Sequence, residues 1–321
     1  MDRNRALLEK LYRAALSGAD PRRAVVRALD DRAVVRRVEG ARRVGVFAVG
    51  KAAAAMAAAV PRRLFDEALV IVPREEATRA ARLPRADRNV EVLEASHPEP
   101  DSSSVAAARR AVRFFEAFGP RDLILCLVSG GTSSLLCLPK PGLTLSTKRR
   151  RIREAVLRGA PIAELNRLRT SLSAVKGGRL GRRTRASLVT LVLSDVAGDR
   201  PKTVGSGPTI RDRRGDLVRV VGSNGSGLIA ARERALALGH RVVVRPRRLS
   251  GEAGEEGVRL GREAARLGPG SVLLAGGETT VRLPRRHGKG GRALELAVAA
   301  ASPLEGSAAT LLSAGSDGRD G

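Results

Sequence analysis

Cysteine, aromatic residues and long apolar runs are all scarce in this sequence of 321 residues. Its two cysteines, Cys126 and Cys137, are too few for a zinc cluster or for a disulfide-stapled secreted scaffold. No apolar run reaches the roughly 18 residues that a membrane-spanning helix requires, and the N-terminal segment MDRNRALLEK lacks the apolar centre of a signal peptide. We therefore expect a soluble protein of the reducing cytoplasm with no membrane partner.

Acidic residues are few beside the basic ones, with 33 Asp and Glu against 59 Lys and Arg, which gives a formal net charge of +26. Arginine-rich runs at residues 149–151, 182–185 and 245–248 could attract a phosphate backbone. One Tyr and no Trp, however, leave few stacking surfaces for single strands. Only seven basic residues are Lys, and an arginine-rich coding bias explains the charge more simply. We do not expect nucleic acid as a partner, and the sequence leaves open whether the protein is a homodimer.

Short Val/Leu/Ile runs alternate with longer helical patterns, which predicts an α/β fold with a mostly parallel sheet. Asp101 and the three serines after it are predicted to cap the helix over residues 106–118. A polar, basic stretch at residues 245–251 suggests a domain boundary. The predicted strands cover residues 44–49, 68–72, 90–93, 123–128, 188–193, 242–244, 272–274 and 310–313, and further helices cover residues 52–60, 225–238 and 293–301.

Two glycine patterns imitate nucleotide-binding motifs. The segment from Gly45 to Ala52 almost spells a phosphate-binding P-loop, but strand-forming residues separate its glycines and Ala52 stands where a hydroxyl should hold magnesium. The segment from Gly288 to Ala293 resembles a dinucleotide fingerprint, but its loop is basic and no suitably spaced acidic residue follows. Lys51 still deserves interest because it lies at a predicted junction of strand and helix, where a cation can meet an anion.

Nine short motifs follow one another in a specific order and spacing. The sequence resembles, through them, the glycerate 2-kinases with a C-terminal MOFRL domain, whose members are often labelled hydroxypyruvate reductases. The motifs are Gly50-Lys51-Ala52-Ala53, His97-Pro98-Glu99-Pro100-Asp101, Ser129-Gly130-Gly131-Thr132-Ser133-Ser134-Leu135-Leu136, Lys176-Gly177-Gly178-Arg179-Leu180, Ser194-Asp195-Val196-Ala197-Gly198-Asp199, Ser206-Gly207-Pro208-Thr209, Gly276-Gly277-Glu278-Thr279-Thr280-Val281, Gly290-Gly291-Arg292 and Gly315-Ser316-Asp317-Gly318-Arg319-Asp320-Gly321.

The resemblance implies a Rossmann-like three-layer αβα domain over residues 1–240. It also implies a linker and a smaller, incomplete α/β MOFRL domain over residues 241–321. The expected reaction is the ATP-dependent phosphorylation of D-glycerate at its 2-hydroxyl, with Mg²⁺ as cofactor and a site between the domains. The alternative from the family's labels is an NAD(P)H-dependent hydroxypyruvate reductase.

Candidate site residues follow from the same resemblance and from the needs of phosphoryl transfer, which are cations, backbone N–H groups and carboxylates. Lys51, Arg292 and Asp317 are the catalytic candidates, and Asp195 and Asp199 are the candidate metal ligands, while all three aspartates could instead accept the hydroxyl proton. The expected substrate- and nucleotide-binding residues are Ser129, Gly130, Gly131, Thr132, Ser133, Lys176, Glu278, Gly290 and Gly291.

Structural interpretations of these residues remain open beside the functional ones. Lys51 could be a solvated lysine at a strand end, and the two aspartates Asp195 and Asp199 could be turn residues that bond their own backbone. The Ser-Gly-Gly turn at residues 129–131 could serve only close packing of helix on strand. His97 is interpreted as structural, and Cys126 as an inert core thiol.

Three departures from the family pattern bear on activity. Ala293 and Leu294 stand where the family usually has Asn and Gln, and Ser171 stands where it commonly has His. The chain ends at Gly321, inside a loop that family members continue past. We therefore expect an impaired, less stable kinase, in which Asp317 and Asp320 lie on a frayed terminus.

Overall fold

The computed structural model describes residues 3–76, 89–283, 288–316 and 320. Its contacts divide the chain into two compact units. One unit is continuous and runs from Pro21 to Ser223. The other combines the segment up to Asp20 with the chain from Asn224 onward. Each unit is built around its own parallel sheet.

The strands are β1 (Val44–Val49), β2 (Glu67–Pro73), β3 (Val90–Ala95), β4 (Leu123–Val128), β5 (Ser187–Leu193), β6 (Leu217–Gly222), β7 (Arg241–Val244) and β8 (Ser271–Leu274). The α-helices are α1 (Arg3–Gly18), α2 (Pro21–Leu29), α3 (Arg32–Glu39), α4 (Ala53–Ala57), α5 (Ser102–Glu116), α6 (Thr132–Leu135), α7 (Leu145–Leu157), α8 (Ile162–Ser171), α9 (Asn224–Ala237), α10 (Ala253–Ala265) and α11 (Arg292–Leu304).

The continuous unit contains six parallel strands in the order β3-β2-β1-β4-β5-β6. This is the strand order of a Rossmann fold, in which the direction of winding reverses between the two central strands. The prediction of a mostly parallel α/β sheet is therefore confirmed. The reversal places the carboxyl ends of β1 and β4 side by side, where a crevice can form.

Helices cover both faces of this sheet because its central strands are apolar on both sides. Successive residues of β1 alternate between two cores, with Phe47 packing in one and Val46 in the other. The core around Phe47 includes the rings of Phe114 and Phe115 on α5. Cys126 is buried in the same core, and burial raises the pKa of its thiol, which keeps it protonated.

Helix α5 begins as the sequence predicts. The Asp101 carboxylate accepts from the backbone N–H groups of Ser103 and Ser104, and the Ser104 hydroxyl faces the Asp101 N–H in a capping box. These bonds satisfy N–H groups that have no partner inside the helix. The predicted cap is confirmed.

In the second unit, α1 packs against α9 through small residues. A Cβ on Gly18 would overlap Ala230, and a Cβ on Gly227 would lie 3.1 Å from the carbonyl oxygen of Ala15. Strands β7 and β8 pair in parallel, and Leu11, Ala235 and Val272 share a small core. The second unit therefore combines the segment up to Asp20 with the chain from Asn224 onward, whereas the sequence analysis placed all of residues 1–240 in the first domain, because α9 packs with α1 and β7.

Two further expectations for this unit differ from the structure. The stretch at residues 245–251 is not a boundary, since buried Arg245 donates to Glu256 at 2.5 Å and Leu249 bridges to Gly277. Residues 310–313 form no strand, since they pair with no other strand in the described part of the chain; the Thr310 hydroxyl accepts a side-chain bond from Asn4 at 3.0 Å. Among the described residues, no helix is long and apolar enough to cross a membrane.

Candidate active site

The loops that follow β1 and β4 interlock at the point where the sheet reverses direction. The Lys51 N–H donates to the Gly130 carbonyl at 2.8 Å, and the Ala52 N–H donates to Ser129 Oγ at 3.1 Å. The Thr132 hydroxyl donates to the Ser129 carbonyl at 2.7 Å. The Lys51 turn and the 129–133 loop therefore form one hydrogen-bonded structure at the carboxyl edge of the sheet.

Two glycines allow polar side chains to approach this loop closely. A Cβ on Gly131 would lie 3.2 Å from both Lys51 Cγ and His97 Cδ2, and the backbone there has φ +84°. A Cβ on Gly130 would overlap the carboxylate of Asp195. Because both positions lack a side chain, Lys51, His97 and Asp195 all reach the same loop.

The loop also presents backbone donors. The N–H groups of Gly131, Thr132 and Ser133 donate to no acceptor in the described parts of the chain. The helix that follows, α6, spans only four residues, so the loop's own backbone rather than a helix dipole presents these groups. Such consecutive N–H groups are donors that phosphate oxygens accept from.

The P-loop resemblance fails for the physical reason expected. Gly45 lies within strand β1, where a Cβ would overlap the Phe118 ring, so its role is to make room in the core. Gly50 ends the strand with φ +122° beside Ser129. The segment between these two glycines is extended and cannot converge its N–H groups on a phosphate.

The sequence analysis interprets His97 as structural, and in the structure its side chain also lies beside the 129–133 loop of the candidate site. Burial lowers the pKa of His97, the positive charge of Lys51 lowers it further, and Glu75, 3.9 Å from Nδ1, acts in the opposite direction. The net effect favours a neutral imidazole, which can both donate and accept a hydrogen bond. In the sequence, the only indication that His97 lies near the site is its position just after β3.

Lys176 is almost fully buried, at 2% exposure. Its Nζ donates to the Ser133 carbonyl at 2.7 Å and also contacts the Ser133 hydroxyl. Burial lowers its pKa to about 7, and the charges of Lys148 and Arg169 contribute to that shift. Lys176 therefore bonds to the 129–133 loop, and its role in binding substrate stays a prediction.

Sequence reasoning missed Lys148 and Arg169, which lie near Lys176. Lys148 is 1% exposed on α7, and burial lowers its pKa while the nearby Cys137 thiol opposes the shift. Arg169 is partly buried on α8, and burial lowers its pKa too. The sequence does contain a pattern that predicts the burial of Lys148, because Ile152 and Ala155 lie on the same face of the helix and are apolar.

The two candidate metal ligands follow β5. Asp195 abuts Gly130, as described, and the Asp199 carboxylate accepts from the Ser194 hydroxyl at 2.7 Å. Asp199 has φ +46°, and its N–H donates to the Val196 carbonyl at 3.4 Å, which is turn geometry. Over the described ranges, no three His, Cys, Asp or Glu side chains gather as a metal site would need.

The remaining candidates lie in the second unit. Arg292 opens α11, and its Nη1 donates to Glu278 Oε1 at 2.5 Å and to the Thr279 carbonyl at 3.4 Å. Gly290 and Gly291 precede it, with Gly291 as the N-terminal cap residue. Asp317 lies outside the described residues. A site that joins Lys51 of one unit with Arg292 of the other stays a prediction.

Asp320 is hydrogen-bonded to a helix, although the sequence analysis expects it to lie on a frayed terminus. Its two carboxylate oxygens accept from the N–H groups of Ala293 and Leu294, at 2.8 and 2.7 Å. An anion is stabilised at the first turn of a helix, where N–H groups lack internal partners. The last loop is therefore tied to α11 at this residue.

Two family models match the chain: one described as a domain of unknown function (DUF4147), over residues 7–221, and one described as the MOFRL family, over residues 271–321. A glycerate 2-kinase of Pyrococcus horikoshii is 30% identical over 97% of this chain and 82% of that protein. A putative hydroxypyruvate reductase of Agrobacterium vitis is 35% identical over 99% of this chain and 80% of that protein. The crystal structure of a glycerate kinase from Thermotoga maritima superimposes with a TM-score of 0.81 at 29% identity, covering 94% of this chain and 80% of that one.

Proposed function

The chain belongs to the family of glycerate 2-kinases that combine a DUF4147 domain with a MOFRL domain, and we propose that it transfers the γ-phosphoryl group of ATP to the 2-hydroxyl of D-glycerate. The products are 2-phosphoglycerate and ADP, and one proton leaves the hydroxyl. Its two cysteines are buried free thiols, in keeping with our proposal that it works in the cytoplasm.

The observation that carries the proposal is the convergence of Lys51, Asp195 and the 129–133 loop at the reversal point of the sheet. Phosphoryl transfer depends on positioning and on stabilising charge that spreads over the equatorial phosphate oxygens. A lysine ammonium and consecutive backbone N–H groups supply that stabilisation. A carboxylate beside them can accept the proton of the attacking hydroxyl.

We assign roles on this basis. Lys51 and the N–H groups of the loop bind the transferring phosphoryl group, and Asp195 accepts the hydroxyl proton. Arg292, oriented by its bond to Glu278, contributes a planar pair of donors for phosphate oxygens. Gly290, Gly291 and Asp317 belong to the nucleotide side of the same proposal.

Magnesium is part of the proposal as well. Mg²⁺ in kinases takes one or two carboxylates together with phosphate oxygens, so of the pair Asp195 and Asp199 the Asp199 carboxylate is sufficient as the protein's ligand while Asp195 acts as the base. Asp195 is placed at the loop by its contact with Gly130, and Asp199 lies four residues later on the same turn. A bound Mg²⁺ would neutralise charge on the phosphate oxygens.

The test is a pair of assays on the purified protein. With D-glycerate, ATP and Mg²⁺ we expect ADP and a product that enolase consumes directly, which identifies the 2-phosphate. With hydroxypyruvate and NADH or NADPH we expect no loss of absorbance at 340 nm. Reduction of hydroxypyruvate without ADP formation would reverse the assignment in favour of the reductase.

A lysine variant locates the activity at the reversal point. Lys51→Ala should lower kcat/KM for D-glycerate by at least about 100-fold, because a cation on the transferring charge is lost. Lys202→Ala, which removes an exposed lysine paired with Asp212, is the matched control. Equal kinetics for wild type and Lys51→Ala would remove Lys51 from the site.

A further inference from the structure

Three cationic side chains gather behind the 129–133 loop. Lys148 on α7 and Lys176 after α8 are both buried, at 1% and 2% exposure, and Arg169 on α8 is partly buried. The charges of Lys148 and Arg169 both act on Lys176. We call these three residues the basic cluster.

The basic cluster has no compensating carboxylate. In residues 3–76, 89–283, 288–316 and 320, none of the three forms an ion pair, and apart from the nearby Cys137 thiol Lys148 Nζ has no hydrogen-bond partner. Arg169 donates only to the neutral side chain of Asn166, at 3.3 Å. Burying a cationic side chain without a carboxylate beside it is unfavourable, so two buried lysines and a partly buried arginine that lie close together require an explanation.

Two other cations with largely buried side chains in the described residues are paired. Arg211, whose side chain is 5% exposed, donates to Asp216 at 2.7 Å. Arg245, whose side chain is 10% exposed, binds both Glu256 and Glu263. At both of these positions a carboxylate of the chain accompanies the cation. The basic cluster lacks one, which indicates that its anion comes from outside the chain.

The cluster borders the candidate active site. Lys176 Nζ donates to the Ser133 carbonyl, and Ser133 lies two residues after Gly131, where a Cβ would lie 3.2 Å from Lys51 and His97. An anion held at the cluster would therefore lie next to the loop that we propose binds the transferring phosphoryl group.

We propose that the basic cluster of Lys148, Arg169 and Lys176 binds the carboxylate of the hydroxy-acid substrate. This inference rests on the proposed function, because it assumes that D-glycerate is the acceptor. In glycerate the 2-hydroxyl is on the carbon bonded to the carboxylate carbon, so fixing the carboxylate next to the 129–133 loop keeps the hydroxyl close to that loop. The deep burial of two of the cations suits a small carboxylate better than a triphosphate.

Binding of the carboxylate has a second consequence at Lys176. Its pKa of about 7 leaves most of the Lys176 population neutral at pH 8, and a bound anion favours the charged form. Binding of D-glycerate at pH 8 should therefore take up part of a proton. Calorimetric titrations in two buffers of different ionisation enthalpy measure that uptake directly, without any turnover.

The decisive variants are Lys148→Met and Arg169→Gln, with Arg151→Gln on the exposed face of α7 as the matched control. We expect KM and the calorimetric Kd for D-glycerate to rise about 10- to 100-fold in the two cluster variants. KM for ATP should change less than about threefold, and the control should match wild type. Lys148→Met should unfold at or above the wild-type temperature, since it removes an unpartnered buried charge, which separates lost binding from lost folding.

Two outcomes overturn the inference while the proposed function stands. One is an active enzyme in which Lys148→Met and Arg169→Gln leave KM and Kd for D-glycerate unchanged. The other is a rise of KM for ATP alone, which would assign the cluster to phosphate. A wild-type protein that neither binds nor phosphorylates D-glycerate would instead overturn the proposed function, and this inference with it.

Discussion

Replacing Lys176 by methionine should stabilise the protein in a way that depends on pH. Burial, followed by the charges of Lys148 and Arg169, lowers the pKa of this lysine from 10.5 to about 7. That difference corresponds to about 5 kcal/mol by which the folded state disfavours the charged form. Methionine has a similar shape and no charge, so it removes this cost.

The sign follows from where the proton is bound. Below pH 7 both the folded and the unfolded protein hold the proton on Lys176, so wild type carries the full cost. Between pH 7 and 10.5 only the unfolded chain holds it, and wild-type stability rises with pH by about 1.4 kcal/mol per unit. The advantage of Lys176→Met must shrink over the same window.

The loss of the two contacts to Ser133 reduces the gain by about 1–3 kcal/mol. We therefore expect Lys176→Met to be more stable than wild type by about 2–4 kcal/mol at pH 6, with the difference close to zero by about pH 9. Urea unfolding at pH 6, 7, 8 and 9, followed by circular dichroism because the chain has no Trp, measures it. Lys202→Met, at an exposed lysine, is the control and should show no such trend. A Lys176→Met protein that is less stable than wild type at pH 6, or a difference that is the same at pH 6 and 9, would refute the reasoning.

Three other predictions rest on single contacts. Gly131→Ala should lower kcat about 10-fold or more, because its Cβ would crowd Lys51. Gly142→Ala is the control: its backbone also has a positive φ, +79°, which costs about 1 kcal/mol, but open space surrounds it, so kcat should stay unchanged. Asp101→Ala should lower the free energy of unfolding by about 1 kcal/mol through loss of the helix cap, seen as a lower Tm. Arg211→Gln should cost about 3–5 kcal/mol in urea unfolding, because it leaves buried Asp216 unpaired; a change below 1 kcal/mol would contradict that account.

Local pattern was sufficient for the central sheet and for the loops at its edge. Strands β1 and β4 are apolar at every position, and Asp101 before three serines is a strong cap signal, so both could be predicted from a few neighbouring residues. Strand β6 was missed because it is an edge strand with Arg219 in its middle and little burial. Residues 310–313 have a strand composition, yet strand formation also needs a neighbour, which composition does not report.

The residues of the candidate site also differ in whether local sequence pattern or only packing brings them to light. Motifs read along the chain identified Lys51, the 129–133 loop, Lys176 and Asp195, because each is contiguous with a strand end or a glycine turn. Lys148 and Arg169 belong to no such motif, and only the packing of α7 and α8 brings them near Lys176. The same holds for α1, whose partner α9 is distant in sequence.

The packing of α1 on α9 has a consequence for synthesis on the ribosome. Helix α1 leaves the exit tunnel before the six-stranded sheet, but its partner α9 is made only after the whole sheet. Its apolar face, which includes Leu11, has no native neighbour during that interval. The intervening unit, by contrast, has all its strands available before α9 emerges. Nascent chains halted before residue 224 should therefore protect the sheet from proteolysis while leaving the first helix open to cleavage and to chaperones.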